Sequence, residues 1–397
     1  MNNKINMKSS FKRFISLRHN WLKNTAALII GISVSFLLAE LLVLLVVGEI
    51  PKFPRRVVEA PWGIRYNDPG ARYRHKSADG TWHFRINNQG MRADRDYTYQ
   101  KQPGVKRIIS LGDSFTLGFE VDGEDTYSSV VERNLNFIGI RTEVLNTGVS
   151  GFSNAEEYLY LERELLNYNP DLVIISFWIN DFMDNIRTGL FQLDGNSLIR
   201  HNQRYVPLGS LGNFFNTNML STFLSERSNA FVFLKQSLIG IAKRWIETQK
   251  EKEIQLSPNS DLNINNTYPL GDIMVNVEKY IYVRRLTATI FNHFYNLLRQ
   301  RNIPMIILSI PTPYWDRSDP LVEEFPLEYF DIDRPGITFV SGKGLLDSHV
   351  SHELLYWQQS QVHWTPFSHE QAGKAIAELI LDHNLLGKIN HAVISHY

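Results

Sequence analysis

The sequence predicts a three-layer α/β/α domain with a mostly parallel sheet, carried on an N-terminal transmembrane helix. Short apolar, β-branched runs recur from Lys106 onward, each bounded by Gly, Pro or Asp. Amphipathic helical stretches separate them, the alternation expected of an α/β layer structure. Ahead of both lies an apolar run of 24 residues with one charge.

Residues 1–24 hold Lys4, Lys8, Lys12, Arg13, Arg18 and Lys23 and no acidic residue. The run at 25–48, TAALIIGISVSFLLAELLVLLVVG, follows. At ~1.5 Å per residue it spans roughly 36 Å, enough for a ~30 Å hydrocarbon core with some tilt. It exceeds the roughly 7–15-residue apolar core of a signal peptide, and VVGEIPKFP offers a poor cleavage site. The reading is an uncleaved single-pass anchor in the cytoplasmic membrane. The basic tail stays in the cytoplasm and the body is exported to the periplasmic or extracytoplasmic side. Glu40 would cost roughly 2.5–3.5 kcal/mol if charged at the bilayer centre. It marks either a helix partner in the membrane or a position within a turn or two of the interface, protonated or hydrated; the second reading is favoured.

Residues 49–105 form a juxtamembrane, β-rich connecting region. ARYRHK (71–76) and TWHFRINNQGMR (81–92) alternate as short antiparallel strands do, with ADG and NNQG as turns. The domain proper covers 106–397. RIISL (107–111), EVLNT (143–147), DLVIISF (171–177) and IPMIILSI (303–310) are near-continuously apolar, the mark of parallel strands covered on both faces. Helices are expected at YSSVVERNLNFI (127–138), at NAEEYLYLERELLNY (154–168) and over 277–302. The last of these places Val283, Leu286, Ile290, Phe294 and Leu297 on one face. Residues 186–275 break the rhythm and read as an insertion over the active site, with a flexible polar loop at its end. SHEQAGKAIAELILDHNLL closes the chain as an amphipathic helix.

Composition excludes several classes of function. Lys plus Arg and Asp plus Glu both number 41, so no global field attracts nucleic acid. The absence of cysteine removes disulfides, thiolate metal sites and a cysteine nucleophile. His352-Glu353 and His369-Glu370 each begin a zinc-protease HExxH, but Tyr356 and Gly373 stand where the second histidine is needed. No metal or cofactor is expected.

Four stretches carry chemistry, and each falls at a strand's C-terminal end or before the last helix, the edge where open α/β sheets bind ligands. Gly112-Asp113-Ser114 puts a hydroxyl at a sharp turn beside a helix start, although the same triplet is ordinary turn chemistry. LNTGVSGFSN places Gly151 where a peptide N–H can approach a substrate, or where a βα turn needs glycine. SFWINDF puts Asn180 where its amide can meet an oxyanion, or cap the next helix. QVHWTP presents His363 from a loop, as a base or as one more structural histidine. Phe177, Trp178 and Phe182 are candidates for an acyl pocket or for the core.

In that order the four stretches resemble the blocks of the SGNH (GDSL-type) hydrolases over roughly residues 106–386. HWTP looks like the histidine block of membrane-associated and periplasmic members, which include polysaccharide O-acetylesterases and O-acetyltransferases. The anchor, INNQGMR and GDSFTLG look like a common bacterial single-pass subgroup. The resemblance implies a flavodoxin-like α/β/α fold, Ser114 as nucleophile and His363 as its base. It also implies an oxyanion hole of the Ser114 N–H, the Gly151 N–H and the Asn180 side chain. The function it implies is an exported serine esterase acting through an acyl-enzyme on O-acetyl or short acyl esters of cell-envelope glycans. An O-acyltransferase using the same site is the alternative within enzymes. A non-catalytic envelope protein binding glycan or a protein partner is the alternative outside them.

One position departs from the family. An acidic residue two or three places before the histidine usually orients it, and here those places hold Gln361 and Ser360. A glutamine carbonyl can hold the tautomer, but it brings no charge to stabilise the imidazolium. A Ser-His dyad aided by Gln361 or a backbone carbonyl is the favoured reading. An acid from elsewhere, such as Asp347, or a weakened enzyme are the others. Asp347-Ser348-His349 is a rival acid–histidine block.

Overall fold

The computed structural model describes residues 3–54, 56–206, 212, 214, 216–241, 277–359 and 362–387, with residues 3–20 as backbone. Helix α1 (Asn3–Val46) is continuous, so the basic tail extends the apolar helix as one rod. Its segment Trp21–Val46 is long and apolar enough to cross a membrane.

The connecting region folds into two antiparallel hairpins. β1 (Val57–Glu59) pairs with β2 (Arg65–Asn67), and β3 (Arg72–Lys76) with β4 (Thr81–Arg85). The inward Tyr73, Trp82 and Phe84 bury against Leu117 of the main domain. This alternation of inward and outward residues is what the sequence displayed.

The central sheet has five parallel strands: β5 (Lys106–Leu111), β6 (Thr142–Asn146), β7 (Leu172–Phe177), β10 (Met305–Ser309) and β11 (Ile337–Ser341). An antiparallel hairpin, β8 (Phe191–Asp194) and β9 (Ser197–Arg200), stands apart. The sheet order is β6-β5-β7-β10-β11. Numbered by appearance within the sheet this is 2-1-3-4-5, the flavodoxin-like doubly wound order. It places the topological switch point between β5 and β7.

The short helix α2 (Ser114–Leu117) follows β5. The helices α3 (Tyr127–Phe137), α4 (Asn154–Arg163), α5 (Asn180–Thr188), α6 (Met219–Ser225), α7 (Asn229–Ile241), α8 (Val277–Arg299) and α9 (Pro366–Asp382) complete the set used below. α3 and α9 cover one face of the sheet, over Ile108, Ile174, Ile306 and Leu308. α4, α5 and α8 cover the other, over Ile109, Leu111, Val173, Ile175 and Ile307. On α8, Val283, Leu286, Ile290 and Phe294 are buried as the spacing predicts. Leu297 is only half-buried, and Leu298 takes the core position beside it.

β11 and the β8–β9 hairpin are among the elements that went unread in the sequence. β11 is an edge strand in which only Thr338 and Val340 are buried, so ITFVS lacks the continuous apolar run of its neighbours. The β8–β9 hairpin turns at Asp194-Gly195-Asn196, a turn signal that was there to use. Within the insertion at 186–275, the β8–β9 hairpin meets α8 through Arg285, whose Nη2 donates to the Gly195 carbonyl at 2.9 Å. α6 and α7 meet the connecting region and α1. The polar loop expected at the insertion's end lies outside the described residues.

Candidate active site

β5 ends at Leu111 and the chain turns at once. Gly112 permits this because a Cβ there would collide with the Thr116 and Ser176 hydroxyls. Asp113 is the N-cap of α2, its Oδ1 accepting the Phe115 N–H at 2.9 Å. Ser114 opens the helix, so its own N–H belongs to the donors that a helix start leaves without an intrahelical acceptor. Beneath it a buried hydroxyl network fixes α2 to the sheet: Thr116 Oγ1 lies 2.7 Å from Tyr127 Oη and 2.8 Å from Ser176 Oγ.

His363 Nε2 lies 2.8 Å from Ser114 Oγ, so the structure brings nucleophile and base candidates into hydrogen-bond contact from opposite ends of the domain. The histidine is held by its main chain. Its carbonyl accepts the Trp357 N–H at 2.8 Å, and Trp364 bridges to Tyr356. Pro366 starts α9 three residues later. Phe119, Phe115 and Trp178 surround the imidazole, with ring centroids 4.6, 4.9 and 6.3 Å away. Of the three acyl-pocket candidates, Trp178 alone stands at the site; Phe177 and Phe182 pack into the core with Phe291 and Phe325.

Gly151 sits in the loop after β6 at φ 68°, a conformation suited to glycine. Its carbonyl accepts from Arg65 Nη2 at 2.6 Å and Arg187 Nη2 at 3.1 Å. Arg65 is itself paired in a bidentate manner with buried Glu156. The loop is tied to the nucleophile turn by the Val149 N–H, which donates to the Gly112 carbonyl at 3.1 Å.

Asn180, at the start of α5, crosses the switch point. Its Nδ2 donates to Asp113 Oδ2 at 3.1 Å and to Asp184 Oδ2 at 3.2 Å. The amide therefore braces the Ser114 turn in the resting site, a role its Asx-cap reading did not foresee. Burial pushes the Asp113 carboxyl up to about 6, with Asp184 adding to the shift against the hydrogen bonds from Phe115 and Asn180. Behind it, Glu157 and Asp181 are raised well above the ordinary carboxylate range, by burial first. Asp113 adds to the shift of Glu157, and Glu157 to that of Asp181. Glu157 Oε1 and Asp181 Oδ1 are buried with no hydrogen-bond partner among the described residues.

The least expected contributor is Arg92, from the INNQGMR stretch. Buried beneath α2, it donates to the carbonyls of Leu117 at 2.5 Å, Val121 at 2.6 Å and Gly118. Its guanidinium lies 4.1 Å from the Phe84 ring centre. The cation meets the C-terminal end of α2, where the peptide dipoles favour positive charge. Burial still lowers it to about 10. Nothing in the residue pattern alone pointed to it.

Gln361 and Ser360 lie outside the described residues. Asp347 pairs with Lys343 at 3.1 Å, and His349 packs on Phe367, so the rival block has its own partners. His369 is a core histidine whose Nδ1 accepts the Tyr127 N–H at 3.3 Å; burial lowers it to about 3, the neutral form. Among the described residues no cluster of His, Cys, Asp or Glu is arranged to hold a metal.

No family model matches the chain, and no curated protein sequence matches it. Solved structures do. A lipolytic protein of the G-D-S-L family from Desulfitobacterium hafniense is 12% identical, covering 69% of this chain and 99% of its own, with a TM-score of 0.35. An acetylxylan esterase from Geobacillus stearothermophilus is 12% identical, covering 72% of this chain and 95% of its own, with a TM-score of 0.38. The fold assignment rests on the strand order, and the site on the contacts given above. Together they place Ser114, Asn180 and His363 at the C-terminal edge of a doubly wound sheet, astride its switch point.

Proposed function

We propose that the chain is a membrane-anchored, exported serine ester hydrolase of the SGNH (GDSL) type, acting on O-acetyl or other short acyl esters of cell-envelope glycans. The observation that carries this reading is the 2.8 Å contact between Ser114 Oγ and His363 Nε2 at the switch-point edge. That separation lies within the roughly 2.6–3.2 Å reach of a general base. The anchor reading draws on the apolar helix Trp21–Val46, and the glycan substrate follows from export and from the family resemblance.

In this mechanism Ser114 Oγ attacks the acyl carbonyl while its proton passes to His363 Nε2. The carbonyl electron pair moves onto oxygen, where the N–H groups of Ser114 and Gly151 meet it. Asn180 joins them by releasing Asp184 or Asp113. Each such donor is worth ~10²–10³ in rate. Collapse expels the alcohol, which takes the proton from His363. Water then repeats the steps on the acyl-enzyme and frees the acid.

The test is p-nitrophenyl acetate hydrolysis by the purified full chain. His363→Ala is expected to lower kcat by ~10⁴-fold or more. A wild-type rate no faster than that of His363→Ala contradicts the reading. Adding an oligosaccharide acceptor and following its acetylation separates hydrolase from transferase.

A further inference from the structure

Glu40, the one charge in the apolar run, has four hydrogen-bond donors around it. Ser228 Oγ donates to Oε2 at 2.7 Å and the Ala230 N–H to Oε2 at 3.0 Å. The Asn229 N–H and Asn229 Nδ2 donate to Oε1 at 2.8 and 2.9 Å. These groups are the N-terminus of α7, whose N-cap Ser228 also accepts the Phe231 N–H at 3.0 Å. A carboxylate at a helix start is stabilised by the free N–H groups and the dipole. Glu40 thus has a helix as its partner, the start of α7.

The consequence lies in what α6 and α7 expose. On α7, Phe233, Leu234, Leu238 and Ile241 are exposed along one stripe, while Ala230 and Val232 are buried. On α6, Met219, Leu220 and Phe223 are exposed, while Ser221, Thr222 and Ser225 are buried. This inverts the pattern of a water-facing hairpin. The last turns of α1, from Leu41 to Val46, are exposed apolar surface as well, apart from half-buried Val43. Trp21–Val46 would be roughly 39 Å long, more than a ~30 Å hydrocarbon core takes upright. Both apolar surfaces leave from the same point, Glu40, so whatever solvates the end of α1 also reaches α7.

We propose that α6 and α7 form a lipid-immersed hairpin beside the span, resting the domain on the acyl-chain region of the adjacent leaflet. The inference rests on the reading of α1 as a membrane helix. The hairpin is fixed to the domain as well as to α1. Arg74 Nη2 donates to the Glu226 carbonyl at 3.1 Å, Arg56 Nη1 to Thr222 Oγ1 at 2.9 Å, and Asn216 Nδ2 to the Val57 carbonyl at 2.7 Å. These polar contacts face the protein, while the large apolar side chains Met219, Leu220, Phe223, Leu234, Leu238 and Ile241 face away, as contact with lipid requires.

The chain has no cysteine, so single labels can be placed cleanly. Leu37→Cys on the span, Phe223→Cys and Leu234→Cys on the hairpin, and Phe137→Cys on distant α3 would each carry an environment-sensitive fluorophore. The full chain would be reconstituted in phosphatidylethanolamine–phosphatidylglycerol vesicles containing acyl-chain-brominated phosphatidylcholine. Labels at 37, 223 and 234 are expected to lose most of their emission, and the label at 137 none. Quenching at 37 with bright, water-reactive labels at 223 and 234 overturns the hairpin while leaving the span. Labels at 223 and 234 that are neither quenched nor water-reactive mean a protein covers the face, which also overturns it. An unquenched label at 37 removes the span reading and the hairpin with it.

Discussion

The starts of α2 and α7 each receive a carboxylate, and they differ in where it comes from. α2 is capped by Asp113, the residue before it, which takes the Phe115 N–H and leaves that of Ser114 without an intrahelical acceptor. α7 is capped by Glu40, 188 residues earlier in the chain, together with its own Ser228. Both of its first N–H groups, those of Asn229 and Ala230, go to Glu40. A helix start that keeps a donor open can act on a ligand; one that gives its donors to a remote acid joins two parts of the fold. On the proposed function, the same backbone chemistry serves a reaction in one place and an attachment in the other.

The sharpest way to probe the first start is from its far end. Arg92→Met keeps the apolar stem but removes three charged hydrogen bonds from the carbonyls that close α2. It is expected to cost about 3 kcal/mol or more, read as a lowered unfolding temperature, and to slow ester hydrolysis with it. An unchanged unfolding temperature would show that α2 is held by its neighbours alone. The second start is probed by Glu40→Leu, which keeps the span apolar. The expected loss is about 1–2 kcal/mol. It should appear as faster amide exchange at 228–231 with no change at 114–118; equal change at both would break the distinction.

The smallest effect concerns the acids behind α2. Asp113, Glu157 and Asp181 are pushed upward in the folded state, so the fold favours their protonated forms. Their contribution to stability is full below the ordinary carboxylate range of about 4 and declines as pH rises through the folded values, near 6 for Asp113. Asp181→Asn can still accept the Trp178 N–H that Asp181 Oδ2 now holds at 3.0 Å. It is expected to match wild type near pH 4 and to gain stability, by about 1 kcal/mol, toward neutrality. Denaturation at several pH values checks this, and a gain confined to acid pH would reverse the sign of the argument.

Legibility followed locality. Central strands β7 and β10 announced themselves because each is buried along its whole length and almost wholly apolar, and β5 and edge strand β6 did so through the apolar residues that follow their polar starts. β11, at the sheet's edge, needed only alternate burial and stayed hidden. The Gly-Asp-Ser turn, Gly151, Asn180 and His363 were found because each depends on its immediate neighbours and its place at a strand or helix end. Arg92 was not, and for Glu40 the charge was legible but its partner was not, since each acts on backbone groups far away in sequence that only the fold brings near. The bracing of Asn180 between Asp113 and Asp184 belongs to the same class.

The central claim is that Ser114 is a nucleophile activated by His363. Fluorophosphonate labelling of the full chain tests it directly, because the probe forms a covalent bond only with an activated hydroxyl. Wild type should label and Ser114→Ala should not, at equal amounts of folded protein. Equal labelling of the two, or none of wild type between mildly acidic and mildly basic pH, would contradict the account.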